Sequence, residues 1–158
     1  MKLSSNFQLS EFTRSATAER LHIDNTPTPE AIVNLRALCI DVLQPLRDHA
    51  HIPIVITSGY RCRQLNAAVG GVARSQHLVG EAADIRIPLV VSASRGDDPL
   101  DVGKPKPSMV LANAWMDFII AHTDFDQLIL ERDAAGTRWI HVSHRRAPAR
   151  NRHQVIRM

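Results

Sequence analysis

Apolar residues recur at helical spacing in "TPEAIVNLRALCIDVLQPLRDHA", where Ile32, Leu35, Leu38, Val42 and Leu46 share one face. Thr28 is placed to cap this helix and Pro29 to occupy its first turn, which predicts a core helix over residues 29–49, kinked at Pro45. "SMVLANAWMDFIIAHTD" predicts a second amphipathic helix over 109–123. Between them, "IPIVITSGY" is a β-branched run of strand length, and "RCRQLNAAVGG" is a short helix closed by Gly70 and Gly71.

"EAADIRI" alternates Ala82, Asp84 and Arg86 against Ala83, Ile85 and Ile87, which puts Asp84 on a strand. "DQLILE" and "RWIHVSH" are two further strands joined through "RDAAG", which reads as a hairpin. On the second, Trp139, His141 and Ser143 share one face while Ile140 and Val142 share the other. Residues 1–28 are polar and receive no element. The stretch at 88–108, rich in Pro, Gly, Ser and Asp, reads as a long loop that opens with a strand residue or two. Helices packed on a small, mainly antiparallel sheet carrying Asp84 and His141 make the expected fold α+β.

Composition narrows the class. The 158 residues, 44% hydrophobic and 22% charged, suit one globular domain over 1–158. A basic tail from about residue 145 carries much of the +3 net charge and reads as a solvated terminus. Without interleaved aromatic residues it does not suggest a nucleic-acid partner. No apolar run approaches the length of a membrane span, and "MKLSSNFQLSEF" has no signal-peptide pattern, so the expectation is cytoplasmic synthesis without membrane insertion. Cys39 and Cys62 lack a metal or disulfide spacing and read as incidental thiols.

The chemistry lies in "SQHLVGEAADI" and "RWIHVSH". His77, Asp84 and His141 supply two imidazoles and a carboxylate, the ligand set of catalytic zinc with a fourth position left for water. The same spacing is open to a hydrogen-bonded His and Asp pair of purely structural value, since the chain holds eight histidines.

"SGYRC", "SQHLVGEAAD" and "WIHVS", preceded by "EF..S.TA.R..IDN.P", closely resemble the zinc peptidases of peptidoglycan. That family includes D-alanyl-D-alanine carboxypeptidases and L-alanyl-D-glutamate endopeptidases, and the resemblance is to its compact phage and prophage branch. It runs from residue 7 to about 145 and implies a hedgehog-like fold, a Zn2+ cofactor and a peptidoglycan stem peptide as substrate. It makes His77, Asp84 and His141 the metal ligands and Arg61 the guanidinium that binds substrate beside the metal. Ser75 would steady the loop or the substrate, and Gly80 and Ala82 would be the small residues that let the loop pass close to the metal.

One departure from the pattern is Arg138, which stands where several members carry a catalytic glutamate three residues before the last histidine. The general base is then expected to be Glu131, with His144 as a rival; Glu131 also reads as a solvated turn acid. The expected activity is a zinc metallopeptidase, either a D,D-carboxypeptidase or an endopeptidase, acting as a phage or prophage lysis enzyme on the wall after release. A zinc-bearing cell-wall binding module in which catalysis has lapsed is the alternative.

Overall fold

The computed structural model describes residues 1–91, 103–147 and 150–158. Helices α1 (Leu9–Thr13), α2 (Ala16–Leu21), α3 (Pro29–Leu38), α4 (Gln44–Ala50), α5 (Arg63–Ala68) and α6 (Met109–His122) accompany strands β1 (Ile56–Ser58), β2 (Ala82–Arg86), β3 (Leu89–Val91), β4 (Pro105–Pro107), β5 (Gln127–Arg132), β6 (Arg138–Ser143) and β7 (Gln154–Arg157). The main sheet has the order β1-β2-β6-β5-β7, antiparallel except for the parallel β5–β7 pair. The fold is α+β, as the patterning predicts.

Alternation divides this sheet into two faces. Ile85, Ile140, Val142, Leu128 and Leu130 point into a core shared with Leu35, Leu38, Leu46, Met116 and Ile119 of the helices. Asp84 and His141 stand opposite each other on the other face, with Ile129 opposite His141 on its far side. Burying the aliphatic face is the main favourable term in folding, at roughly 25 cal/mol per Å² of apolar surface. It also fixes the register that carries the polar face, because a slip of one residue would reverse every side chain.

The N-terminal segment is more ordered than its polarity suggests. It forms α1 and α2, with Phe7 and Phe12 fully buried and packed edge to face. Two aromatic anchors outweigh the polar residues around them.

Thr28 Oγ1 accepts the Ala31 N–H at 3.1 Å and Pro29 stands in the first turn of α3, as expected. The long helix is interrupted by a π-helical segment at Cys39–Leu43, one turn before Pro45. A proline has no N–H to donate and crowds the carbonyl four residues back, and a wider turn relieves both defects. Cys39 is buried there, and burial pushes its thiol well above the usual range.

Only Ile56–Ser58 of the long apolar run pairs as a strand. In the 88–108 excursion, Leu89–Val91 and Pro105–Pro107 pair into a two-stranded antiparallel ribbon, and residues 92–102 lie outside the described residues.

The basic tail differs from a solvated terminus. Its last residues add β7 to the sheet edge, and Arg152 bonds the fully buried carboxylate of Asp126. A buried carboxylate without a partner is strongly unfavourable, so the tail folds back to supply the cation.

Candidate metal centre and cleft

Ser75 caps a short 3-10 turn, Gln76–Val79, and its Oγ accepts the His77 N–H at 3.3 Å. The hydroxyl thus holds the loop that presents His77. Gly80 ends the turn at φ +75°, and a Cβ there would lie 2.4 Å from the Ala31 carbonyl oxygen. Its smallness is therefore required by the left-handed turn and by contact with α3. Asn34 of α3 also bonds the Val79 carbonyl at 2.8 Å. Ala82 is fully buried at the start of β2, two residues before Asp84 on the same face.

His77 Nδ1 lies 2.6 Å from the Gly59 carbonyl oxygen. A carbonyl oxygen only accepts, so Nδ1 carries the proton and a neutral ring turns the lone pair of Nε2 the other way. That Nε2 is 3.3 Å from Asp84 Oδ1, and His141 Nδ1 is 2.9 Å from the same oxygen. A lone pair facing a carboxylate oxygen repels unless a proton or a cation lies between them.

All three side chains are buried, and their ligand atoms lie within 4.8 Å of one another. Two imidazole nitrogens and a carboxylate oxygen converging in this way fit the zinc that the resemblance implies. Among the described residues this is the one such cluster.

Asp84 is prepared for the role. Burial by itself would raise its carboxyl pKa, yet the facing His141 and His77 rings, which favour the carboxylate whenever a proton lies between ring nitrogen and oxygen, hold it well below the usual carboxylate range. Its second oxygen, Oδ2, accepts from Arg61 Nη2 at 3.0 Å, while Arg61 Nε donates to Ser58 Oγ at 2.9 Å. The Arg61 backbone N–H donates to the His77 carbonyl at 3.1 Å. Arg61 is thus both salt-bridged to a neighbour and part of the wall beside the metal group.

The site opens into a cleft of about 660 Å³ lined by Arg61, Ser75, His77, Asp84, Glu131 and His141. Glu131 lies opposite Trp139 on the β5–β6 ladder, on the face that carries His141, and is half-buried. It stands two residues along β5 from Ile129, the partner of His141, a rise of about 7 Å. Trp139 also lines the cleft, and its indole N–H has no acceptor among the described residues.

His144 points elsewhere. It is buried with Nε2 3.0 Å from Asp41 Oδ2 and Nδ1 2.6 Å from the Asp124 carbonyl, as its odd spacing from His141 predicts. It ties the π-helical segment to the sheet.

Three contributors escape a reading of the sequence. Gly59 enters there only as a letter of "SGYRC", yet its carbonyl orients His77. Arg145 and Arg152 read as tail residues, yet both line the cleft.

A family model described as Peptidase M15 matches residues 5–98, the stretch that supplies Arg61, Ser75, His77 and Asp84. The chain belongs to the Peptidase M15 family. No curated protein matches the chain. The M15 match ends before His141, so the third member of the cluster joins through the β2–β6 register. Among the described residues, no helix is long and apolar enough to cross a membrane.

Proposed function

We propose that this M15 peptidase is zinc-dependent and hydrolyses a peptide bond in the peptidoglycan stem, as a D,D-carboxypeptidase or an endopeptidase. The observation that carries the reading is the convergence of His77, Asp84 and His141 at the floor of a cleft that also holds a carboxylate, Glu131, and a guanidinium, Arg61. Zinc held by the three ligands would supply Lewis acidity and acidify a water molecule.

The protein's own residues would do the rest. Glu131 accepts the proton of the attacking water and returns it to the leaving amine. Arg61 offers charged N–H donors to a substrate carboxylate or to the oxyanion that develops at the scissile carbonyl. Gly59, through its carbonyl, holds the His77 ring in one tautomer. A phage or prophage lysis role fits a wall-directed activity of this kind.

Arg138, in the position where several relatives carry a catalytic glutamate, favours the second reading, a zinc-bearing wall-binding module. Digestion of purified peptidoglycan by the zinc-replete protein, with products identified by mass, separates the two. New amino termini or free D-alanine, lost on chelation and regained with zinc, are expected. Neither product from either common stem type, with the metal site fully loaded, leaves the binding module.

A further inference from the structure

Beyond Glu131 and the metal cluster, the cleft continues past the other end of β6. Gln127 N donates to Ser143 Oγ at 3.0 Å and Asp126 N donates to the Ser143 carbonyl at 2.7 Å, so Asp126 stands just beyond the strand pair that carries His141. Its side chain is 0% exposed. Arg152 grips it through Nε to Oδ1 at 3.0 Å and Nη2 to Oδ2 at 2.8 Å, and Gln76, next to His77, adds a bond to Oδ2 at 3.0 Å. Arg145 Nε lies 3.4 Å from Asp126 Oδ2 but is not aligned for a hydrogen bond, which leaves that buried N–H without an acceptor.

The arrangement is more than internal neutralisation. One carboxylate faces two guanidiniums, whose side chains are 33% exposed for Arg145 and 48% for Arg152. Asp126 takes one edge of Arg152, and among the described residues no hydrogen bond engages Arg152 Nη1 or either terminal nitrogen of Arg145. In the cleft as a whole, Arg61, Arg74, Arg145 and Arg152 face two carboxylates, Asp84 and Glu131. A guanidinium fixed on one edge and open on the other is preorganised for a planar anion.

We propose that Arg145 and Arg152, set in place by Asp126, form a second carboxylate site at the far end of the cleft and select substrates by a carboxylate remote from the scissile bond. The proposal rests on the peptidase reading for the identity of the ligand, a short stem peptide with more than one carboxylate. Arg61 bonds Asp84, opposite His141, while Asp126 meets Ser143 two residues or about 7 Å farther along β6, so a ligand reaching from Arg61 to this site spans on the order of two to three peptide units. A peptide of that length carries one carboxylate to Arg61 and another to the Arg145 and Arg152 pair.

The test is calorimetric binding of synthetic stem peptides to the zinc-loaded and metal-free protein, with each peptide carboxylate amidated in turn. For one carboxylate, amidation is expected to weaken binding roughly 10- to 100-fold, the loss of a charge-assisted bidentate contact. Arg145→Gln, which leaves the Asp126 and Arg152 pair intact, and Arg152→Lys, which keeps a cation beside Asp126, should both shrink that discrimination while the other carboxylates still matter. Thermal melting checks that both variants fold. Equal binding of all the amidated peptides by the wild type, undiminished discrimination in both folded variants, or no peptide binding at all overturns the site. Discrimination without hydrolysis sinks the peptidase reading and leaves the site standing; hydrolysis without discrimination does the reverse.

Discussion

Asp84 and His141 face each other across the β2–β6 ladder, with Asp84 Oδ1 2.9 Å from His141 Nδ1, and His77 meets the same oxygen from a loop. Two of the three candidate ligands are thus fixed by sheet register and the third by a capped turn. Removing either histidine should empty the site without unfolding the core. Metal analysis of His77→Ala and of His141→Ala is expected to show most zinc gone with far-UV circular dichroism unchanged, and full zinc content in both variants would refute the assignment.

Glu131 should matter for turnover alone. The amide in Glu131→Gln keeps the shape of the side chain and cannot take a proton, so zinc content and peptide affinity are expected to hold while kcat falls roughly 100-fold or more. His144→Ala should instead cost stability, because the ring bridges Asp41 and the Asp124 carbonyl. Normal turnover in Glu131→Gln together with a folded but inactive His144→Ala would reverse the two roles.

Gly59 couples the fold to the candidate metal centre. A Cβ at this position would lie 2.6 Å from the Phe12 carbonyl oxygen and 2.7 Å from Phe12 Cα, both of them backbone atoms that move only with α1. Gly59→Ala is expected to destabilise the protein by about 1–3 kcal/mol through overpacking. By shifting the carbonyl that orients His77 it should also weaken zinc binding roughly 10- to 100-fold. Chemical denaturation and a competitive chelator titration measure the two effects; unaltered zinc affinity in the variant would sever Gly59 from the site.

Asp126 sets part of the acid limit of the fold. Burial alone would raise its carboxyl pKa, but the hydrogen bonds from Arg152 and the charges of Arg145 and Arg152 hold it below the usual value. A carboxyl depressed in the folded state contributes stability that is present above its unfolded pKa, about 4, and is lost as pH falls through the folded value. Asp126→Asn should therefore lower stability at neutral pH by about 1–3 kcal/mol and flatten its decline below pH 4. An acid limb as steep as that of the wild type, in denaturation curves taken across pH, would remove Asp126 from this role.

Gly80 tests the support of the metal loop by α3. Alanine there would need a left-handed backbone and would meet the Ala31 carbonyl at 2.4 Å. A loss of at least about 2 kcal/mol in Gly80→Ala is expected from strain and overpacking together. Melting curves within 1 °C of the wild type would contradict it, since a loss of this size shifts Tm by several degrees.

The two-faced strands and most of the candidate site they carry follow from local residue patterns. Strand alternation has a period of two residues and is local, so Asp84, the face shared by Trp139, His141 and Ser143, and the turn of His144 away from that face were legible from spacing. What distant segments supply depends on long-range packing and has no local signature. The Gly59 carbonyl beside His77, the Ala31 backbone against Gly80, and the return of the tail to Asp126 as β7 involve pairs 18, 49 and 26 residues apart. Nothing in the local pattern around Arg152 marks its partner. The choice was made by Asp126, a carboxylate that chain folding buries beside the strand pair and that stays ionised there because the tail supplies its cations.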